Sequence, residues 1–358
     1  MKKIGNNTFV LTFLTAFFAF LTGVLGILYA TQKVKLAENT RTLSSIPLRN
    51  DHRRQTVRKM PRKMQQARFY DDTSLLYVSG ERLYRMSLRE DGPEVEFRGH
   101  TDDVADYDVS PDGSRIVTSS SDGTLRLWDP STGECLAVSE RLDTNDQPSW
   151  TMLHDVVYRR DGKRVMSADM EGVRIWRAAD LKLLSFEKSD IFYLRNGLLS
   201  PDWKTMCVPE LDSLAGFDIY RRGKGSYTRF QHISDQTPLR YSPDGRRVLS
   251  VGLDTHSMNV WDVRLNDADR YMTWNWLNTP DSTLCASAFS PDGEIVVSAH
   301  ADGTVRVLNA RNGAEREVLH WEGREVDGVC FDPEGGRIIA CCNATGEFCL
   351  WGPFSWMI

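Results

Sequence analysis

Short stretches along most of the chain alternate apolar with polar or charged positions. Leu125–Trp128 reads LRLW, Val173–Trp176 reads VRIW and Val305–Leu308 reads VRVL, so an arginine separates apolar side chains in each. A β-strand places successive side chains on opposite faces, which makes a period of two the pattern of a half-buried strand. The pattern therefore predicts a chain built largely from short strands.

A four-residue turn follows an apolar strand seven times, at intervals of 39 to 49 residues. It reads SPDG at three positions and SPDW, RRDG, DPEG or DDTS at the others, beginning in chain order at Asp71, Ser110, Arg159, Ser200, Ser242, Ser290 and Asp332. A period near forty residues is the length of one four-stranded propeller blade. The seven turns predict seven blades over residues 66–358.

The clearest repeat, Arg98–Asp129, reads RGHTDDVADYDVSPDGSRIVTSSSDGTLRLWD. It has a Gly-His pair before its first strand, an internal Asp-Gly turn and a Trp-Asp ending. These features resemble the WD-repeat β-propeller family, and the resemblance covers roughly Gln66 to Gly352. It implies an all-β, seven-bladed WD-repeat propeller in which a buried network of Asp, His, Ser or Thr, and Trp locks each blade.

The resemblance places this network unevenly among the repeats. It falls on His100, Thr118, Asp122 and Trp128 in the second repeat, on His232, Ser250, Asp254 and Trp261 in the fifth, on Ser167 and Trp176 in the third, and on Ser298 and Asp302 in the sixth. The third repeat has Glu171 where the family has Asp. A buried polar network stabilises a fold only when all its members are paired, so blades two and five should be the stiffest.

The last blade lacks chain for its outer strand, because only seven residues come after Trp351. WD-repeat rings often close by pairing an N-terminal strand into the final blade. Arg54–Met60, which reads RQTVRKM, suits that role. Closure by Phe354–Ile358 is the alternative.

The N-terminal region has a different character, since no charged residue occurs from Ile4 to Gln32. Thr8–Tyr29 contains 22 residues rich in Phe, Leu and Val. As a helix rising ~1.5 Å per residue it would span about 33 Å, enough to cross a hydrocarbon core of roughly 30 Å. We predict a tail over 1–7 and a transmembrane signal-anchor helix over 8–30. A cleaved signal peptide is the alternative, although its apolar run is usually about 7–15 residues.

A basic juxtamembrane linker is predicted over 31–65. Lys33–Gln66 holds ten basic residues against two acidic ones, and the first 66 residues carry +10, which leaves −15 on the ring. The linker either lies on anionic lipid headgroups or is a solvated spacer. The acidic ring argues against nucleic acid as a partner, because such binding requires a basic surface.

The flanks of the predicted helix indicate its orientation. Lys33, Lys35, Arg41 and Arg49 lie on its C-terminal side, whereas only Lys2 and Lys3 precede it. This excess predicts a single-pass membrane protein whose propeller faces the cytoplasm. The odd number of cysteines, seven, agrees with a reducing compartment. An exported or lumenal ring is the alternative, because a short basic head also suits a signal-anchor that exports the domain attached to its C-terminal end.

Catalytic signatures are not found. The sequence has no Cys-x-x-Cys-His for haem, no His-Glu-x-x-His for zinc, no phosphate-binding Gly-x-x-x-x-Gly-Lys and no nucleophile elbow. We therefore expect no enzymatic activity, no cofactor and no metal site.

In WD-repeat proteins the loops at one end of the ring usually bind other proteins. The resemblance places this contact face at the end that carries the Asp-Gly turns and the loops that lead into each blade. Its candidate residues are Asp102, Asp103, Ser121, Trp150, Met170, His256, His300, His320, Trp321 and Arg324. Trp150, Trp321 and Arg324 are the preferred anchors, because Trp and Arg dominate protein interfaces energetically.

The sequence supports three hypotheses of function. The first is a membrane-anchored WD-repeat scaffold that binds a partner protein through one face of its propeller. The second is a regulator of a small GTPase at a membrane, since endoplasmic-reticulum exchange factors also join a propeller to one transmembrane helix, although from the other end of the propeller. The third is an exported propeller enzyme with a ring-end active site. It requires ionisable residues clustered at the central channel, and the sequence does not reveal such a cluster.

Overall fold

The computed structural model describes only part of the chain. The described residues are 54–59, 65–88, 92–142, 153, 155–169, 171–188, 198–210, 216–223, 227–252, 257–263, 272–277, 283–321, 323–342, 344–352 and 354. The predicted tail, the predicted transmembrane helix and most of the linker lie outside them. Within these ranges, no helix is long and apolar enough to cross a membrane.

Strands account for most of the described chain. In order they are β1 (Arg54–Lys59), β2 (Gln65–Asp71), β3 (Ser74–Ser79), β4 (Arg82–Ser87), β5 (Glu94–Phe97), β6 (Val104–Val109), β7 (Ile116–Ser120), β8 (Leu125–Trp128), β9 (Cys135–Val138), β10 (Asp155–Tyr158), β11 (Arg164–Asp169), β12 (Gly172–Arg177), β13 (Leu183–Lys188), β14 (Leu198–Leu199), β15 (Thr205–Pro209), β16 (Gly216–Arg222), β17 (Tyr227–Ser234), β18 (Gln236–Tyr241), β19 (Arg247–Gly252), β20 (Ser257–Asp262), β21 (Met272–Leu277), β22 (Leu284–Phe289), β23 (Ile295–His300), β24 (Thr304–Asn309), β25 (Glu315–His320), β26 (Gly328–Phe331), β27 (Ile338–Cys342) and β28 (Glu347–Trp351).

These strands form seven antiparallel sheets of four strands each within the described ranges. Blades 1 to 6 each use four consecutive strands, from β2–β5 in blade 1 to β22–β25 in blade 6. Blade 7 combines β26, β27 and β28 with β1. The first strand of each blade contacts that of neighbouring blades around a central channel. The prediction of an all-β, seven-bladed propeller is confirmed.

The ring closes through its N-terminal strand. β1 pairs antiparallel with β28, with Thr56 opposite Leu350 and Lys59 opposite Glu347. Of the two closing segments considered from the sequence, the N-terminal one therefore supplies the outer strand. Phe354 is instead buried in the core between blades 6 and 7, where its N–H donates to the Gly336 carbonyl at 3.0 Å. The pairing covers an edge of β28 that would otherwise expose unpaired backbone groups.

The recurring turn joins the first two strands of each blade. In SPDG the Ser110 hydroxyl donates to Asp112 Oδ1 at 2.6 Å and accepts the Arg115 N–H at 2.9 Å, while Gly113 takes a φ of 71°. In SPDW the fourth position is Trp203, which adopts a φ of 63°, a conformation that a bulky residue rarely takes. Its ring is buried between blades 3 and 4, and this packing offsets the strain.

Apolar side chains of adjacent blades pack against each other between the sheets. Trp128 is buried between blades 1 and 2, Trp176 between blades 2 and 3, and Trp351 between blades 6 and 7. Large aromatic rings remove much apolar surface from water, so each layer contributes strongly to stability. Because every blade depends on two neighbours for this burial, the fold depends on closure of the ring.

Candidate functional site

The predicted network of blade 2 forms one chain of hydrogen bonds. Trp128 Nε1–H donates to the Thr118 hydroxyl at 2.9 Å, and that hydroxyl donates to His100 Nε2 at 2.7 Å. His100 Nδ1–H donates to Asp122 Oδ2 at 2.8 Å, because a carboxylate can only accept. The structure thus brings all four predicted residues together and fixes the tautomer of the histidine.

Asp122 is the point at which this network meets the backbone. It also accepts the Thr101 N–H at 3.1 Å, the Thr124 N–H at 2.9 Å and the Thr124 hydroxyl at 2.6 Å. Burial alone would raise the pKa of Asp122, but hydrogen bonds from His100 and Thr124 outweigh it and hold the pKa well below its usual range. The carboxylate therefore ties the loop that leads into blade 2 to the Asp-Gly turn of the same blade.

The assignment of His232 to the blade 5 network is wrong. Ser250 accepts the Trp261 Nε1–H at 2.7 Å as predicted, but its hydroxyl donates to Gln236 Oε1 at 2.8 Å. The reason is that β17 continues through His232 and only Asp235 separates it from β18. His232 instead lies on the outer strand of blade 4, where its Nδ1 is 3.0 Å from Asp218 Oδ1. Asp254 lies outside the described residues.

Blades 3 and 6 keep parts of the network. In blade 3, Trp176 Nε1–H donates to Ser167 at 2.9 Å, and the buried acid beside them is Asp169, which pairs with Arg174. Glu171 is more exposed and contacts the same guanidinium at 2.8 Å. In blade 6, Asp302 accepts the N–H and hydroxyl of Thr304 at 2.9 and 2.7 Å.

Two predicted contact residues are buried rather than available to a partner. His300 is the last residue of β23 and hydrogen-bonds Ser298 at 2.9 Å. Burial lowers the pKa of His300 to about 4, so its ring is neutral at physiological pH. Trp321 is 2% exposed and meets Trp351 edge to face at 6.4 Å between ring centroids. Both predictions fail because the strands preceding these residues run further than the sequence pattern suggested, which places the two rings in the core.

The other described candidates lie at the surface of the predicted face. Asp102, Asp103 and His320 are exposed, and Ser121 is half-buried. Arg324 is half-buried and forms an ion pair with Glu347. Trp150, Met170 and His256 lie outside the described residues.

In blades 2 and 6, hydrogen bonds hold the described loops of this face in place. The Ser121 N–H donates to the Asp103 carbonyl at 2.9 Å, and the Ser120 hydroxyl donates to the Asp102 carbonyl at 3.0 Å. In blade 6 the Trp321 N–H donates to the Gly303 carbonyl at 2.8 Å. A surface ordered in advance loses little conformational entropy when it binds, so these loops of blades 2 and 6 could bind without rearrangement.

One group of side chains has the composition of a metal site. The ligand atoms of Glu210, Asp218 and His232 all lie within 4.8 Å of one another. Arg229 donates to Asp218 at 2.6 Å and lies 3.9 Å from Glu210. The guanidinium of Arg229 already occupies a place beside both carboxylates, so a metal ion would have to displace the protein's own cation. We assign no metal here.

Sequence reasoning missed a group of ionisable residues in the central channel. The cavity has a volume of about 810 Å³ and is lined by the first strands of all seven blades. Its charged residues include Arg68, Asp106, Asp108, Asp155 and Arg240. The signal was present in β6, where two aspartates alternate within VADYDV and so share one face of a strand that is otherwise apolar.

The channel aspartates link neighbouring blades. Asp106 accepts the Val156 N–H at 3.2 Å, Asp108 accepts the Tyr158 N–H at 2.7 Å and Asp155 accepts the Leu199 N–H at 2.7 Å. Burial raises the pKa of Asp108 to about 6. Burial and the nearby charge of Asp106, with which Asp155 shares a hydrogen bond, raise the pKa of Asp155 well above its usual range. These acids therefore join blades 2, 3 and 4 along their inner strands.

Comparison with known proteins agrees with this architecture. The sequence family described as "WD domain, G-beta repeat" matches residues 92–129 and 277–309. The beta-propeller domain of Cps50 (Swd1) from Myceliophteria thermophila has a similar structure, with a TM-score of 0.64 over 84% of this chain and 98% of that one. The two sequences are 14% identical, so this likeness shows the fold alone.

Several curated relatives are similar in sequence. Autophagy-related protein 16 of Arabidopsis thaliana is 26% identical over 71% of this chain, and the WD repeat-containing protein WDS homolog of the same plant is 21% identical over 71%. WD repeat-containing protein 82 of Drosophila melanogaster is 25% identical over 75%. The matches span 40%, 47% and 69% of these relatives, respectively. With its closed ring of seven four-stranded blades, this chain is therefore a seven-bladed β-propeller that contains WD40 repeats.

Proposed function

We propose that the protein is a membrane-anchored scaffold that binds a partner protein through the face of the ring that carries the Asp-Gly turns. WD-repeat propellers are in general scaffolds for protein interactions rather than catalysts. The observation that carries the proposal is the uncharged, 22-residue apolar run Thr8–Tyr29, which precedes a ring whose closing strand begins at Arg54. An anchor and a binding ring in one chain would hold the partner beside the bilayer.

The charge distribution supports a ring held close to the membrane without lying on it. Residues 31–53 carry Lys33, Lys35, Arg41, Arg49 and Arg53 against Glu38 and Asp51, whereas residues 54–358, which include the closing strand, have a net charge of −10. Each basic side chain near an anionic leaflet contributes about 1 kcal/mol of attraction, and an acidic ring is repelled from the same surface. The basic linker would therefore lie at the headgroups while the contact face stays open to a partner.

The contact face itself supports a partner with a basic surface. Asp102 and Asp103 are adjacent and exposed, and their backbone carbonyls are fixed by hydrogen bonds to the Asp-Gly turn of blade 2. Opposite charges across an interface accelerate association and select the correct partner. We infer that these two carboxylates meet Lys or Arg side chains of the partner.

Membrane attachment is expected to survive high salt and carbonate extraction but not removal of residues 1–32. The apolar run supplies the insertion into the bilayer, whereas the basic linker adds only an attraction to anionic headgroups that salt screens. A chain that begins at Lys33 should be released as a soluble protein, as measured by membrane flotation. Exchange of Lys33, Lys35, Arg41 and Arg49 for Gln is the matched control and should leave the full chain bound.

Release of the full chain by carbonate, or a mature chain that begins just after Ala30, would contradict the anchor. Protease added to intact vesicles with the cytoplasmic face outward tests the orientation. Digestion of the ring without detergent is expected for a cytoplasmic propeller, and protection would favour the exported alternative.

Reversal of charge on the contact face is expected to reduce capture of the partner about tenfold, equivalent to roughly 1.4 kcal/mol of binding free energy. The variant is Asp102→Arg with Asp103→Arg, and capture is measured from membranes solubilised in mild detergent. Asp161→Arg with Glu334→Arg is the control, because both side chains are exposed on turns at the opposite end of the ring. Equal loss in the two variants would show that net charge, not this face, governs binding.

A further inference from the structure

Arg240 is a channel residue whose charge forms no ion pair within the described part of the chain. It lies on β18, the inner strand of blade 5, and lines the central cavity. Among the described residues, nothing accepts a hydrogen bond from its guanidinium, forms an ion pair with it or stacks a ring on it. Burial, together with repulsion from Arg68, lowers the pKa of Arg240 to about 10. Holding a buried guanidinium without a direct ion pair in this place costs free energy.

The other charges of the channel are already engaged. Arg68 pairs with Asp106 at 3.3 Å and also donates to the Tyr107 carbonyl at 3.3 Å. Each of the three channel aspartates accepts a backbone N–H from the next blade. Arg160 donates to the Pro243 carbonyl at 3.2 Å. Within the described part of the channel, Arg240 is thus the cation that remains open to a ligand.

We propose that the central channel binds a small molecule through an oxyanion group, a phosphate or a carboxylate, that pairs with Arg240. A guanidinium presents its N–H groups in a planar fork that matches two oxygens of such an anion. Arg68 lines the same cavity and repels Arg240, so an anion that pairs with Arg240 there is also attracted by Arg68. Binding would replace a repulsion inside the ring by two attractions.

The size and walls of the cavity fit an organic anion. Its volume of about 810 Å³ falls within the ~300–1,000 Å³ that is usual for small-molecule sites. Apolar side chains, among them Leu239, Phe289 and Phe331, form part of the lining. At one end the wall is made by prolines of the recurring turns, namely Pro111, Pro201, Pro243, Pro291 and Pro333. Such walls favour a ligand that carries an apolar part beside its anionic group.

The test is thermal unfolding of the full-length chain with phenyl phosphate, benzoate or inorganic phosphate, each at an ionic strength matched with NaCl. We expect at least one of the three to raise the melting temperature by about 3–5 °C when it is present at ~100-fold its Kd. The phenyl phosphate and benzoate arms distinguish a phosphate ligand from a carboxylate ligand. Isothermal titration calorimetry then gives the Kd.

Arg240→Gln should abolish this shift without lowering the melting temperature of the ligand-free protein, because it removes a charge that nothing pairs. Arg240→Lys keeps the charge without the fork, so it should retain a weaker response. Arg311→Gln is the matched control, since Arg311 is exposed and pairs with Glu294 on a turn of blade 6, and its response should be that of the wild type.

Two results would contradict the proposed anion site at Arg240. An anion response equal in the wild type and in Arg240→Gln, or no response beyond that of NaCl, would exclude binding through this guanidinium. A large loss of stability in ligand-free Arg240→Gln would show that Arg240 is a structural residue instead.

Discussion

Loss of the pairing between β1 and β28 is expected to lower the melting temperature by about 10 °C, because ring closure supports the packing between all blades. The variant is Thr56→Pro with Val57→Pro, which lie opposite Leu350 and Cys349. Adjacent residues of a strand direct their N–H groups alternately toward and away from the partner, so one of the two prolines must remove a ladder bond. Circular dichroism during heating measures the effect.

Loss of β1 should also make the protein associate. β28 reads EFCLW and is largely buried, so its uncovered edge would offer apolar residues and unpaired backbone groups to other chains. Size-exclusion chromatography should therefore show oligomers in the proline variant. Deletion of 355–358 is the control for the alternative closure, and a larger effect from that deletion than from the prolines would contradict closure by β1.

The architecture was predictable because its signals are local. The recurring turn is held by a serine hydroxyl and an aspartate within five residues, as at Ser110 and Asp112. Its spacing alone therefore gave the number of blades. Trp203 shows that the turn tolerates loss of its glycine when packing compensates. The closing strand lacks such a local signal. Its partner lies about 300 positions away in the chain, so the sequence left two candidate segments for closure.

The sites were less predictable because they depend on where strands end and on what the ring brings together. Asp235 takes a φ of 58° and makes the turn into blade 5 in a single residue, so Gln236 fills the place expected for His232. Arg68 and Arg240 are distant in sequence and line one channel only in the folded ring. An arginine in a strand resembles any half-buried position, and the absence of an ion pair to Arg240 among the described residues is visible only in three dimensions.

Asp122 offers a comparison between a complete and a partial network. The four predicted members are joined in blade 2, whereas blades 5 and 6 use Gln236 and His300 to complete the contacts of their serines. Substitution in blade 2 leaves several buried donors without an acceptor at once, and such groups are costly. The blades should therefore differ in their tolerance of mutation even though their backbones are alike.

Asp122→Ala is expected to lower the free energy of unfolding by about 3 kcal/mol, because His100 and the donors of Thr101 and Thr124 lose their common acceptor. Asp122→Asn should cost nearly as much. Every group that contacts the Asp122 carboxylate donates a hydrogen bond, and the NH₂ group of Asn, itself a donor, cannot accept one. Urea denaturation measures both. Glu171→Ala is the control and should cost at most about 1 kcal/mol, because that carboxylate is partly exposed.

The loss of stability in Asp122→Ala should also depend on pH, and it should shrink as the pH falls. The folded pKa of Asp122 lies below its ordinary value, so the stability that the carboxylate contributes is fully present above about pH 4. As the pH falls below that value the unfolded chain takes up the proton first, and the gap between wild type and Asp122→Ala should narrow. A gap that stays constant from pH 7 to pH 3, or equal losses in Asp122→Ala and Glu171→Ala, would show that the Asp122 carboxylate does not stabilise blade 2 through these hydrogen bonds.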